Sequence, residues 1–321
     1  MMIEKCSIII PIYNSSQFIE ESLNSIEKQT ANIEAEVILI DDKSDDLGIL
    51  KNKTENFKRF PIRLIEKKVK SNAATSRNLG LKLSSSDYIF LLDSDDLFMP
   101  EHIEQRIETH KRTKAGIIFS DFNLASNQKI KDENIKRSEF ILSDMREYLF
   151  GNNQSDFRTS TISICKYFYK ETLFDDRQNK HQDWGFAARA SDNNEKIYFS
   201  SSKTIIINEQ INPLRMSNKQ NLAATDYFIE QYLSDKKHVV NFCKRHIGNA
   251  IRNQDTNATA YYRKKLLPYL KETPIKLKNF NIHFLLLFSP SLISRTLLRI
   301  IDIFKLWKSR TFLNSKAWKK Q

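Results

Sequence analysis

Residues 88–96 read YIFLLDSDD. Five residues, mostly apolar, are too few for a helix and fit a buried strand, and three acids follow within four positions. Residues 36–42 (EVILIDD) repeat the design, an apolar run that stops on a pair of acids. A third run, residues 6–12 (CSIIIPI), passes through Pro11 into Tyr13-Asn14-Ser15-Ser16. Helical patterns separate these runs. One follows the Asn/Ser cluster, which would cap it, and carries Phe18, Leu23 and Ile26. A second spans 73–83 and tolerates Gly80 near its end. A third is opened by Pro100, a residue favoured at the first helical position, and runs to about Thr113. With further strands at 63–66 and 116–120, the alternation predicts βαβ units, an α/β class with a Rossmann-like, mostly parallel sheet.

Beyond about residue 150 the rhythm changes. Residues 159–165 predict a strand in a mixed region, 183–190 a helix and 197–207 one or two strands. Residues 222–270 are mainly helical in pattern. The expected division is a catalytic domain over 1–215, in halves 1–125 and 126–215, followed by a helical, basic region over 216–321.

Composition narrows the classes. With 40% hydrophobic and 28% charged residues, the chain has the makings of a folded core. Its six glycines do not cluster, which excludes a glycine-rich phosphate loop. Three widely spaced cysteines, Cys6, Cys165 and Cys243, fit neither a disulfide framework nor a zinc site, and a reducing compartment suits them. No apolar run reaches the length of a membrane span, and no secretion signal is read at the N-terminus.

The net charge of +12 is uneven: residues 261–321 hold fourteen Lys/Arg against Glu272 and Asp302. Residues 281–303 mix apolar runs with Arg295 and Arg299, and Lys305, Trp307, Lys308 and Arg310 follow. This composition fits a helix lying in an anionic membrane interface, or an amphipathic helix packed on the body with a solvated basic face. Nucleic-acid binding is not expected, because no recognition motif accompanies the charge.

In an open parallel sheet, ligands sit outside the carboxyl ends of the strands. Bare carboxylates there repel one another and reject anions. A hard divalent cation, Mg²⁺ or Mn²⁺, resolves the conflict by taking carboxylate oxygens and bridging to phosphates. The competing reading is that such acids cap helices and shape turns. An EF-hand is excluded, since the loop lacks its glycine and distal glutamate.

Four segments in order carry a more specific signal: SIIIPIYN (7–14), EVILIDDKSD (36–45), NAATSRNLG (72–80) and YIFLLDSDD (88–96) with Pro100. The set resembles the family 2 glycosyltransferases of the GT-A fold, over roughly residues 5–125 and more weakly to about 210. The resemblance implies that Pro11 and Tyr13 line a nucleoside pocket and that Asp42, with Asp41 beside it, bonds uracil or ribose. Arg77 would lie near the donor phosphates or sugar. Asp93 and Asp95 would form the Asp-x-Asp element, with Asp95 the direct ligand of Mn²⁺ or Mg²⁺ and Asp93 facing ribose or sugar.

His181-Gln182-Asp183-Trp184 resembles the family's later acidic element, which implies Asp183 as catalytic base; the alternative is a helix cap. Trp184 either stacks on the acceptor sugar or fills core. The chain departs from the family at Lys43 and Ser71, where glycine is common, and at Ser76, where alanine is common. It lacks the Gln-x-x-Arg-Trp element of processive members. The implied enzyme is an inverting, non-processive hexosyltransferase of the kind that builds O-antigen or capsule repeat units. Its expected partners are a UDP-sugar, UDP-Glc or UDP-Gal, and a lipid-linked saccharide such as undecaprenyl-diphosphate N-acetylhexosamine. Its expected place is the cytoplasmic face of the bacterial inner membrane. The competing functions are a non-catalytic glycan-binding or scaffold relative, or a transferase acting on a protein or other glycan acceptor.

Overall fold

The computed structural model describes residues 3–126, 129–131, 138–151, 155–208 and 221–271. The chain divides into Met1–Phe228 and Ile229–Gln321.

In the first unit, the apolar runs form strands β1 (Lys5–Ile12), β2 (Glu34–Asp41), β3 (Ile62–Glu66) and β4 (Tyr88–Leu91), of which β2 and β4 lead into the acid clusters. They pair in parallel in the order β3-β2-β1-β4. Ile8, Ile9, Ile10, Ile38, Leu39, Phe90 and Leu91 are fully buried, as continuous apolar runs require when helices cover both faces of a sheet. Because the strands are parallel, their carboxyl ends share one edge, and the acids after β2 and β4 lie along it. Helices α1 (Ile19–Glu27), α2 (Leu47–Thr54) and α3 (Ala73–Leu83) are the crossovers. Helix α3 starts on Asn72, whose side chain accepts from the Thr75 amide at 3.0 Å. Its Gly80 lies against β1, where a Cβ would meet Ile9 at 2.4 Å, so glycine is required by close packing.

The second half adds β6 (Ile117–Ser120), β10 (Ser163–Cys165), β11 (Ile197–Ser200) and β9 (Phe140–Leu142) to the same sheet. β10 runs antiparallel between β4 and β6, β11 is parallel to β6, and β9 closes the edge antiparallel. The sheet is thus mixed but mostly parallel. A second, smaller sheet pairs β5 (Leu97–Phe98), β12 (Ile205–Asn208), β7 (Asn123–Ser126) and β8 (Lys129–Lys131). Helices α4 (His102–Thr113), α5 (Met145–Phe150) and α6 (Gln182–Asp192) complete the unit with the start of α7 (Leu222–Tyr232).

Three expectations need correction. Asn14–Ser16 do not cap α1: Phe18 holds the cap position, and the Ser15 carbonyl accepts from Phe18 and Ile19. Pro100 does not open α4, which begins two residues later; its carbonyl accepts from Thr30 instead. The strand expected over 159–165 splits into a 3₁₀ turn, Thr159–Thr161, and β10.

In the second unit, α8 (Lys236–Arg252) and α9 (Thr256–Lys271) form a hairpin. Asp235 and Asp255 cap them by accepting from Lys237 and Ala258. Val239, Phe242, Ile247 and Ile251 of α8 and Ala258, Tyr262 and Leu266 of α9 are buried, at the spacing of an amphipathic seam. The basic stretch beyond residue 271, including 281–303, lies outside the described residues. Among those described, no helix is long and apolar enough to cross a membrane.

Candidate functional site

The acids after β2 divide the labour between them. Asp41 is buried and spends its carboxylate on its own turn, accepting from the Lys43 amide at 3.0 Å and from Ser44. That turn puts Lys43 in the left-handed region, φ 66°, which explains why the family favours glycine there. Asp42 is also buried, and its Oδ1 accepts from Lys67 Nζ at 2.7 Å and from the Ser71 amide at 2.8 Å. The Asp42 amide in turn donates to Ile12 of β1, which brings it next to Tyr13. Pro11 is half-buried in β1 beside Ile40. Tyr13 is exposed, with Lys70 Nζ 3.6 Å from its ring centre. Asn14, Ser16 and Ser44 to Asp46 lace the loops after β1 and β2 together.

The loop after β4 is held by a part of the chain that sequence spacing does not single out. Ser160, in the 3₁₀ turn, accepts from the Asp93 amide at 3.0 Å and donates to Asp96 Oδ2 at 2.5 Å. Asp96 Oδ1 also accepts from the Asn208 amide, so this buried acid is a structural clamp. Asp93 and Asp95 remain partly exposed at the loop.

Arg77 joins the two halves. From α3, its Nη2 donates to Asp93 Oδ1 at 2.6 Å, and its Nη1 donates to Gln182 Oε1 at 3.0 Å. Gln182 precedes Asp183 in the first turn of α6, so one buried guanidinium ties the Asp-x-Asp loop to the expected base. Residue His181 enters α6 in the left-handed region, φ 59°. The Gln178 side-chain amide donates to the carbonyls of Lys180 and His181 and steadies this turn. Gly185 leaves room for Gln178, since a Cβ would meet its Oε1 at 1.9 Å.

Burial pushes the Asp183 carboxyl up to about 6, against the pull of Arg158 and Arg77 and with Asp156 adding to the rise. Arg158 is ion-paired to Asp156 at 2.5 Å. A carboxyl poised near neutrality beside cationic groups suits proton transfer. Trp184 is 7% exposed; it stacks on His181 at 5.0 Å and meets Phe150 edge-on, so its ring serves packing.

Among the described residues, no three His, Cys, Asp or Glu side chains come together as a metal cage. The donors at the loop, Asp93 and Asp95, are hard carboxylate oxygens, and Asp93 gives one oxygen to Arg77. One or two carboxylates suit a cation that completes its sphere with phosphate and water, the habit of Mg²⁺ and Mn²⁺ at nucleotide sites. The donor set fits that mode and not a closed protein cage.

Comparison with known proteins places this geometry. A sequence profile described as Glycosyl transferase family 2 matches residues 7–175, more than half of the chain. The amylovoran biosynthesis glycosyltransferase AmsB of Erwinia amylovora is 30% identical over 191 residues, covering 57% of this chain and 63% of that protein. The poly(ribitol-phosphate) beta-N-acetylglucosaminyltransferase TarP of Staphylococcus aureus is 25% identical, over 74% of this chain and 68% of TarP. WfgD of Escherichia coli, a UDP-Glc:alpha-D-GlcNAc-diphosphoundecaprenol beta-1,3-glucosyltransferase, is 32% identical over 39% of this chain and 48% of its own length. The chain therefore spans less than two thirds of AmsB and about half of WfgD. In fold, it resembles the crystal structure of S. aureus TarS in complex with UDP-GlcNAc, with a TM-score of 0.61 over 92% of this chain and 90% of that one, at 18% identity. The profile takes in both acidic strand ends, Arg77 and Ser160, and with the GT-A architecture around them the chain belongs to glycosyl transferase family 2.

Proposed function

We propose that the protein transfers a hexosyl group from a UDP-sugar, UDP-Glc or UDP-Gal, to a lipid-linked saccharide in the assembly of a bacterial surface polysaccharide, inverting the anomeric centre and adding one sugar at a time. The observation that carries the reading is Arg77, which holds Asp93 of the Asp-x-Asp loop and Gln182 next to Asp183 in one network. The activities of AmsB and WfgD support the polysaccharide context.

In this reading Pro11, Tyr13 and Asp42 receive the nucleoside, with Asp41 shaping the turn behind them. A divalent cation held by Asp95, with Asp93 beside it, would supply neutralisation of the departing diphosphate. Asp183 accepts the proton of the acceptor hydroxyl as that oxygen attacks the anomeric carbon and UDP leaves. The ordered network from Arg77 to Asp183 fixes donor and base relative to one another, which lowers the entropic part of the barrier. The basic tail brings the enzyme to an anionic membrane surface where a lipid-linked acceptor resides.

A second reading has a specific observation behind it. The structure resembles TarS over nearly its whole length, and TarP is similar over 74% of this chain. UDP-GlcNAc as donor and a polyol-phosphate acceptor follow from that side. Turnover assays decide between them: UDP release from UDP-Glc, UDP-Gal and UDP-GlcNAc is measured with Mn²⁺, with each acceptor class and with Asp183→Asn. Transfer to a lipid-linked acceptor that vanishes in Asp183→Asn, with UDP binding retained, supports the first reading. Absence of any turnover would leave the scaffold alternative.

A further inference from the structure

Lys67 is a buried cation that the proposed reaction does not use. It follows β3 directly, and its side chain and that of Asp42 are each 9% exposed. Its ammonium has three donors, and the structure provides three acceptors: Asp42 Oδ1 at 2.7 Å, Ser76 Oγ at 3.2 Å and Ser71 Oγ. With its donors spent, Lys67 has none left for a phosphate. Ser71 and Ser76 are two of the positions where this chain departs from the family pattern, and both hydroxyls converge on this one side chain.

The consequence falls on Asp42. All of its bonds to described residues go to Oδ1, from Lys67, the Ser71 amide and, at 3.4 Å, the Ser71 hydroxyl. Oδ2 has no partner among the described residues. The carboxylate is thus fixed in rotation, with Oδ1 spent on Lys67 and Ser71 and Oδ2 left as an acceptor.

We propose that Lys67 is a positioning residue that sets the hydrogen-bonding polarity of Asp42, and thereby makes the nucleoside pocket select uracil over cytosine. Uracil offers an N–H at ring position 3, where cytosine offers a lone pair. An acceptor-only oxygen welcomes the first and repels the second. The inference rests on the reading of Asp42 and Tyr13 as the nucleoside pocket.

Calorimetric titration of UDP and of CDP, each with Mn²⁺, tests it on the full chain. The native protein is expected to favour UDP by about 100-fold. Lys67→Gln lowers UDP affinity about tenfold with little change for CDP, so the preference shrinks, and Lys67→Arg restores it. Asp42→Asn is a near-isosteric second probe. The amide oxygen stays with Lys67 and Ser71, Nδ2 becomes a donor, and the preference turns toward CDP. If Lys67→Gln keeps the native UDP to CDP ratio while Asp42→Asn changes it, Asp42 reads the base unaided and the role of Lys67 is overturned. If Lys67→Gln does not fold, equal loss of both nucleotides in Asp42→Asn overturns it. A native protein that binds neither nucleotide removes the nucleoside pocket itself.

Discussion

Asp183 carries opposite consequences for activity and stability. Its folded pKa lies near 6, above the ordinary aspartate value of 3.8, so the fold favours the protonated form. That contribution is complete below pH 3.8 and is lost as pH rises through 6; above it the ionised carboxylate is a net cost. Asp183→Asn is therefore expected to raise the melting temperature at pH 7.5, by a stabilisation on the order of 2 kcal/mol, while turnover falls at least about 1000-fold. In the native enzyme kcat/KM should fall tenfold per pH unit below an acid limb near 6, read from initial rates between pH 4.5 and 8. An acid limb near 4 would remove burial as the tuning agent. Asp183 stands out in the sequence as a candidate base because the residues around it resemble a motif. Its neighbours Arg158 and Asp156 do not, since they come from a segment with no periodicity and reach Asp183 only through the fold.

At the scale of elements, the site is a meeting of α3, the loop after β4, the 3₁₀ turn and the start of α6. Arg77→Lys keeps the charge but cannot serve Asp93 and Gln182 together, because an ammonium lacks the planar fork. A fall of about 10- to 100-fold in kcat/KM, with the melting temperature within about two degrees of native, is the expected outcome by steady-state kinetics and calorimetry. Ser160→Ala leaves the Asp93 amide and Asp96 Oδ2 each short of a partner, at a cost of about 2 kcal/mol in urea unfolding. Strand ends, helices and the parallel half of the sheet could be read from apolar runs and their stops. The antiparallel direction of β10 between β4 and β6 could not, because an apolar run does not carry its own direction, and neither could α2, which buries a single apolar residue, Leu50.

Helix α4 links this scale to the whole molecule. His102 and His110 are buried on its inner face, and burial lowers both, His110 to about 3. A depressed histidine stabilises the fold above its unfolded pKa of 6.5, and the contribution is lost as pH falls toward 3. Stability measured by urea unfolding should therefore decline from pH 7 to 5, and His110→Gln should flatten that decline. Across the whole chain the charge asymmetry predicts that the protein sediments with vesicles containing anionic lipid and is released by about 0.5 M salt. Equal recovery with neutral vesicles would assign the tail to packing. Composition made this asymmetry plain, and the division of the chain at Phe228 fell inside a helix, where no composition shift announces it.

The order in which the sheet is assembled has a consequence for synthesis. Strands β3, β2, β1 and β4 are all complete in the nascent chain by Leu91, and they can pair as they emerge. The Asp93–Asp96 loop lacks its clamp until Ser160 appears, some seventy residues later, and β10 follows at once to seal β4. A ribosome-bound chain can therefore hold this half of the sheet long before the Asp93–Asp96 loop is clamped. Under the proposed function, turnover of a sugar donor would therefore have to wait for Ser160, which would guard a costly substrate from an unfinished enzyme.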